Sequence, residues 1–360
     1  MKARTRDRRV YLAGHPLLFG LLAATRRRPA VRIGGTVLVH DRDAYVTALT
    51  RVPLDRTAAG TTGGAAGRLP GTDTFFDQHG DDHRRTRRST AEALGAAGVD
   101  RLRPVWTDIL HRRLAVLADG GELDLVPLAA DLSGSTAAAL LHLPVDGREL
   151  AEAARAAGAT AVREHLPGPF RTRSRRAAAA AAERLTDLVT PAGAAPAGRA
   201  AMLAVAAINT SVAAMPRAVA WCADDNLWSY ARSHPRALAD ELLRVTAPTP
   251  LLPRVAAATA TLPPDVGVRA GDRLLLIARH AVGAHRDDPD PARPASAPVS
   301  HLVFGIGAHA CPGARLARAQ LVDLLVALEP HRPVVVRARA DRRAALPGWA
   351  SLVVKAGRCG

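Results

Sequence analysis

The sequence predicts a mainly α-helical protein with a small β part. Two patterns carry that prediction. From Asp81 to Thr190 the apolar residues recur mostly at helical spacing, as Leu102, Val105, Ile109, Leu110, Leu114 and Leu117 do. Alternating strand-like patterns are confined to short stretches, one near the start and several after Pro248. Size agrees: 360 residues, 48% apolar and 23% charged, can bury a sizeable core. One domain spanning 1–360 is expected, with a short basic segment over 1–10.

Leu17 to Thr25 is apolar and Ala-rich and reads as a helix. Val31 to Val39 alternates around Gly34-Gly35, the pattern of a two-stranded turn, and a helix follows. Residues 53–75 are rich in Gly, Thr and Ala without a helical period, so a long and mobile loop is expected. Two Ala-rich helices, 149–164 and 173–189, flank Pro167-Gly168-Pro169. Residues 191–198 break structure, and a long buried helix follows over about 199–223. A helix from about 235 into 247 precedes short strands at Val255–Ala258, Val266–Val268 and Leu274–Ile277. Residues 284–300, with several Asp, Pro and Arg, form a coil meander. A last helix, about 313–329, leads to strands near 333–337 and 351–355.

Composition excludes several classes of function. The formal charge is +16, but all but two of the 49 basic residues are arginine, and aromatics are 3%. Nucleic-acid readers interleave basic residues with aromatics or carry a docking motif; neither is present, so no nucleic-acid partner is expected. Cys222, Cys311 and Cys359 have no CxxC spacing, which argues against structural zinc and a disulfide framework. A reducing cytoplasm is the expected location. Arg26-Arg27-Arg28 stands where a signal peptide would be cleaved. The apolar run 200–216 contains Asn209, Thr210 and Ser211, which favours a buried helix over a membrane span.

The segment that carries chemistry runs from Phe304 to Arg318, FGIGAHACPGARLAR. Its glycines let backbone approach a flat ligand closely. Cys311 lies just before a helix start marked by Pro312 and Gly313, where the helix end favours thiolate over thiol. A lone thiolate in a glycine-lined turn suits an iron porphyrin, because thiolate donation favours O–O cleavage.

This segment resembles the haem-binding signature of the cytochrome P450 superfamily, and the resemblance extends over about residues 30–356. It implies a single-domain cytochrome P450 fold and heme b (iron protoporphyrin IX) ligated by the Cys311 thiolate, the one metal ligand from the protein. Phe304, Gly305 and Gly313 would shape the cradle. Glu241-Leu242-Leu243-Arg244 resembles the ExxR helix motif, whose i and i+3 side chains share a face. Pro291-Ala292-Arg293-Pro294 resembles the family's PxRF stretch, making Arg293 the third member of a structural triad; Pro294 departs from the pattern. His83 and Arg87 match an HxxxR pattern, and these two, Arg254 and His309 are the implied contacts of the haem propionates. Charge-assisted hydrogen bonds to carboxylates are the physical reason.

Ala206-Ala207-Ile208-Asn209-Thr210-Ser211 resembles the oxygen-activating helix segment of the family. Thr210 would be the catalytic hydroxyl. Asn209 replaces the acid, and it can orient water but cannot release a proton as a carboxylic acid does. Either water delivers protons beside Asn209, or the chemistry needs fewer protons, as in oxidative coupling or ring formation. A further alternative is a non-catalytic haem-binding scaffold.

The chain is shorter than usual bacterial members at the N-terminus and around 190–199 and 284–300. With thin Ala- and Arg-rich roof helices, an open distal pocket for a bulky, peptide-like or carrier-bound substrate is expected. The implied activity is a monooxygenase of bacterial secondary metabolism acting on an organic substrate. Electrons would come from a separate ferredoxin and ferredoxin reductase, with Arg315 and Arg318 offered to the acidic donor.

Overall fold

The computed structural model describes residues 2–55, 57–61, 88, 90–165, 171–190 and 197–357. Helices dominate, and three small sheets lie against them.

The basic N-terminal segment is a helix, α1 (Lys2–Gly14), and not a tail. Asp7, its one acid, is buried and accepts hydrogen bonds from two buried arginines, Arg217 Nε at 2.8 Å and Arg279 Nη2 at 2.9 Å. Arg279 also donates to the Val245 carbonyl and lies 4.5 Å from the Tyr11 ring centroid. Burial pushes the Tyr11 phenol up to about 12. One carboxylate therefore pins the start of the chain to two distant helices. Next come α2 (Pro16–Thr25), β1 (Ala30–Ile33), β2 (Thr36–Val39) and α3 (Arg42–Thr50), which Asp41 caps by accepting from the Asp43 and Ala44 amides. Gly34 has φ of +57°, as the two-residue turn between β1 and β2 requires.

β3 (Leu54–Asp55), β5 (Leu252–Ala256) and β8 (Arg273–Leu276) complete a five-stranded sheet of order β1-β2-β8-β5-β3. β2 and β8 are parallel, with Val37 opposite Leu274, and every other pair is antiparallel. β6 (Ala260–Leu262) and β7 (Val266–Val268) form a hairpin. β4 (Glu122–Asp124), β10 (Trp349–Lys355) and β9 (Val334–Ala340) form the third sheet. The strand expected at 255–258 begins at Leu252, because pairing with β8 extends past Pro253. The short strands β3, β4 and β6 were not expected from the sequence.

The helical layer holds α4 (Ala96–Ala118), α5 (Leu125–Leu140), α6 (Gly147–His165), α7 (Arg171–Val189) and α8 (Ala197–Asp225). Short α9 (Trp228–Ser233) leads to α10 (Pro235–Thr246), and the one-turn α11 (Ala278–Ala281) follows β8. α12 (Ala297–His301) and α13 (Ala314–Leu328) bracket the cysteine segment. Helix α8 is long and apolar enough to cross a membrane, but its second half is enclosed: every residue from Val212 to Cys222 is buried. The helical core includes Trp106, Trp221, Leu117, Leu128 and Leu150. A second core, with Val37, Tyr45, Leu274 and Leu276, lies under the five-stranded sheet.

Candidate functional site

The cysteine segment is built by its glycines. A 3-10 turn, Leu302–Phe304, ends at Gly305 with φ of +75°; a second, Gly307–His309, begins at Gly307 with φ of +78°. Both angles lie where side chains bearing Cβ are strained. The loop is closed by the Cys311 amide, which donates to the Phe304 carbonyl at 2.7 Å, and by the Ala310 amide, which donates to Gly307 at 3.1 Å. Cys311 is exposed and stands three residues before α13. A Cβ on Gly313 would lie 3.7 Å from the Cys311 sulfur, so the glycine keeps the space beside the sulfur clear. An accessible sulfur at a helix start, in a loop without bulk beside it, fits a thiolate ligand for iron.

Phe304 packs against two basic side chains that also contact each other, Arg318 Nη2 lying 3.4 Å from His301 Nδ1. The Arg318 guanidinium lies 4.6 Å from the Phe304 ring centroid and the His301 ring 5.7 Å. Arg318 also pairs with Asp240 on α10. Asp240, His301 and Arg318, with Ala297, Ser300, Gly305 and Ile306, line a groove of about 400 Å³. Burial, with the Arg318 charge, holds His301 below the usual histidine range. Arg318 is thus committed to Asp240 and Phe304, whereas Arg315 is exposed. Of the two arginines expected to face an acidic donor, Arg315 is thus unencumbered by Asp240 and Arg318 is paired with it.

Behind the loop, Arg244 makes a bidentate contact with Glu241, Nε to Oε1 at 3.0 Å and Nη2 to Oε2 at 2.6 Å, with both side chains buried. Arg244 also donates to the carbonyls of Val282, Asp287 and Asp288. Glu241 accepts from the backbone amides of Asp290 at 3.1 Å and Ala295 at 2.9 Å. The meander therefore hangs on the pair through main-chain groups. Arg293 is not a third member. Its side chain is 89% exposed and bonds Asp290. The Asp290 carboxylate also accepts from the Ala292 and Arg293 amides, and this Asx turn directs Arg293 outward. Pro294 has no N–H, so the next amide, Ala295, reaches Glu241 instead.

Arg254 lies on β5 and donates to the Pro253 carbonyl at 2.8 Å. Burial lowers its pKa and raises that of nearby Tyr45. His309 is half-buried in the second 3-10 turn. His83 and Arg87 lie outside the described residues, as does most of the loop expected over 53–75.

On α8, the Thr210 hydroxyl donates to the carbonyl of Ala206 at 2.8 Å, with Ala207 at 3.3 Å. Asn209 Nδ2 donates twice, to Val205 one turn back at 2.9 Å and to Ala154 on α6 at 3.0 Å. Asn209 and Thr210 are adjacent but do different things: the hydroxyl stays on its own helix, and the amide crosses to another. Sequence reasoning did not find Ala154, Gly158 or Asp240. The first two lack functional groups, and Asp240 is one acid among many.

No family model and no curated protein matches the sequence. Solved structures do match. A mutant of P450 EryK in complex with erythromycin B superposes with a TM-score of 0.76 at 22% identity, over 96% of this chain and 98% of that one. P450BioI in complex with an acyl carrier protein ligated to hexadec-9Z-enoic acid gives 0.75 at 19%, over 96% and 100%. Ligand-free CYP164A2 of Mycobacterium smegmatis gives 0.74 at 23%, over 94% and 99%. The chain has the cytochrome P450 fold.

Proposed function

We propose that this protein is a haem-thiolate monooxygenase that oxidises an organic substrate. The observation that carries the reading is Cys311, presented before α13 on a loop closed by its own amide and kept clear of bulk by Gly313. Cys311 would ligate the iron, Phe304 and Gly305 would shape the cradle, and Arg254 and His309 would hold the propionates with His83 and Arg87. Glu241 and Arg244 support the loop from behind. When bound, heme b supplies the oxygen chemistry, with thiolate donation favouring O–O cleavage. Thr210 offers a hydroxyl whose proton is given to Ala206, leaving its oxygen able to accept. Electrons would come from a separate ferredoxin and its reductase, in the cytoplasm, with exposed Arg315 among the groups available to an acidic donor. A bulky product of secondary metabolism is the substrate class we favour. Two similar structures hold erythromycin B or mycinamicin VIII, and another holds a fatty acid on its carrier protein.

One observation favours a second reading, oxidative coupling or ring formation without oxygen insertion. Both Asn209 amide protons are engaged by carbonyls, so the residue standing where the family has an acid delivers no proton. Product mass separates the two: a gain of one oxygen supports monooxygenation, and a loss of two hydrogens supports coupling.

The test of the haem site is the carbon monoxide difference spectrum of the dithionite-reduced protein. The strongly red-shifted Soret band of a thiolate-ligated haem is expected, and Cys311→Ser should abolish the band. Haem uptake without that band, or a band that survives Cys311→Ser, refutes Cys311 as ligand.

A further inference from the structure

We propose that Asn209 is a positioning residue: its side-chain amide latches helix α6 to helix α8 and so gates the distal face of the site. Both hydrogens of Nδ2 are used, one on Val205 of its own helix at 2.9 Å and one on Ala154 of α6 at 3.0 Å. The orientation is chemically determined, because a flipped amide would set its oxygen against two carbonyl oxygens. Each carbonyl takes this bond on its second lone pair, so neither helix gives up its own ladder. Among the described residues, this is the one side-chain hydrogen bond from α8 to α6.

The neighbouring residues are shaped to admit it. At the contact of α6 with α8 the α6 residues nearest Asn209 are small, Ala154, which is buried, and Gly158. A Cβ on Gly158 would fall 2.8 Å from Asn209 Nδ2 and 3.1 Å from its Oδ1. Glycine at 158 is therefore the space the amide occupies, and the short asparagine side chain is long enough to bridge only because the backbones approach closely. The latch sits one residue from Thr210. It needs a donor, which explains an amide rather than a carboxylate at this position: an ionised acid would point its charge at two carbonyl oxygens.

The latch stands on protein geometry alone. Its meaning as a gate rests on the proposed function. The test measures amide hydrogen exchange of residues 150–162 in the full chain, for the native protein, Asn209→Leu and Asn209→Asp, at two pH values. Asn209→Leu should exchange faster than the native protein at both, by about fivefold, the contribution of one ordinary hydrogen bond. Asn209→Asp should match that loss at pH 7.5, where the acid is ionised, and recover protection at low pH, where the protonated acid again donates. Among the described side chains, the charged groups on the packed helices are Asp131 on α5, Arg148, Glu149, Glu152 and Arg155 on α6, and Arg176, Glu183, Arg184 and Asp187 on α7; α8 has none between Arg199 and Arg217. Their titration is removed by the native protein measured at the same pH. Unchanged exchange in Asn209→Leu, or protection in Asn209→Asp that ignores pH, overturns the latch.

A second arm tests the gate. Imidazole should bind ferric haem faster in haem-loaded Asn209→Leu than in the native protein. Faster exchange with an unchanged imidazole rate overturns the gate. Failure to take up haem at all refutes the proposed function, while the exchange arm still decides the latch.

Discussion

The two halves of the candidate site are fastened by different physics. The side carrying Cys311 is held by charge. Glu241 and Arg244 are buried together, satisfy each other twice, and hold five main-chain groups, four of them in the meander. The opposite side is held by small packed residues and one amide, Asn209 to Ala154. A buried ion pair tolerates no partial loss, because removing one member strands the other charge. A small-residue interface with one hydrogen bond can open at a cost near that of the bond. Under the proposed function, the loop that would hold the iron ligand is backed by a buried ion pair, and the helices on the substrate side share a single side-chain hydrogen bond among the described residues.

That contrast is sharpest at Glu241. Glu241→Ala leaves the Arg244 guanidinium buried and unpaired, and it should lower stability by about 3–5 kcal/mol, read from the urea midpoint. Asn209→Leu in the same assay should cost about 1 kcal/mol. If the two losses were equal, the comparison would fail.

Acid should open the sheet-bearing region before the helical layer. His40 and His280 are buried with their Nδ1 atoms 2.8 Å apart, and His285 packs edge-on against His280. Thr25 gives its hydroxyl proton to Leu21, so His40 donates to Thr25 through Nε2 and accepts from His280 at Nδ1. Burial pushes His40 and His285 down to about 4, helped by His285 at His40 and by Arg26 and Arg286 at His285, and burial with both neighbouring histidines lowers His280 further. The unfolded chain therefore binds these protons at higher pH than the folded one, and stability falls as pH drops from about 6.5 towards 4. Hydrogen exchange across pH 7 to 4.5 should show β2 and β8 losing protection before α5 and α8. His280→Asn should flatten that dependence.

The smallest effect is expected at Arg293. Its exposed pair with Asp290 is screened by solvent, so Arg293→Ala should leave the urea midpoint and haem content unchanged. A loss like that of Glu241→Ala would restore Arg293 to the triad.

The helices and the cysteine loop were legible in the sequence because each rests on local rules. Helical spacing located α8 and α13 to within a few residues and marked apolar positions of α4 without its ends, and glycines at 305 and 307 marked a loop that other residues could not easily follow. Glu241 and Arg244 were legible as a pair because i and i+3 must meet on a helix. Arg293 was misread because a motif states which residue types occur and not which way an Asx turn sends them. The pairing of Arg318 was not legible for a similar reason: its partner, Asp240, is 78 positions away.

By itself, then, the sequence determined the mainly helical class, the cysteine loop and the possibility of a Glu241–Arg244 pair, products of periodicity, glycine conformations and spacing along one helix, while the burial of that pair was only implied by the resemblance. Tertiary structure alone decided that the basic N-terminal segment is a helix pinned by Asp7 to Arg217 and Arg279. It alone decided that Asn209 crosses to Ala154 over Gly158. Those contacts join residues tens to hundreds of positions apart, and no local pattern encodes which distant carbonyl or guanidinium the folded chain will bring within 3 Å.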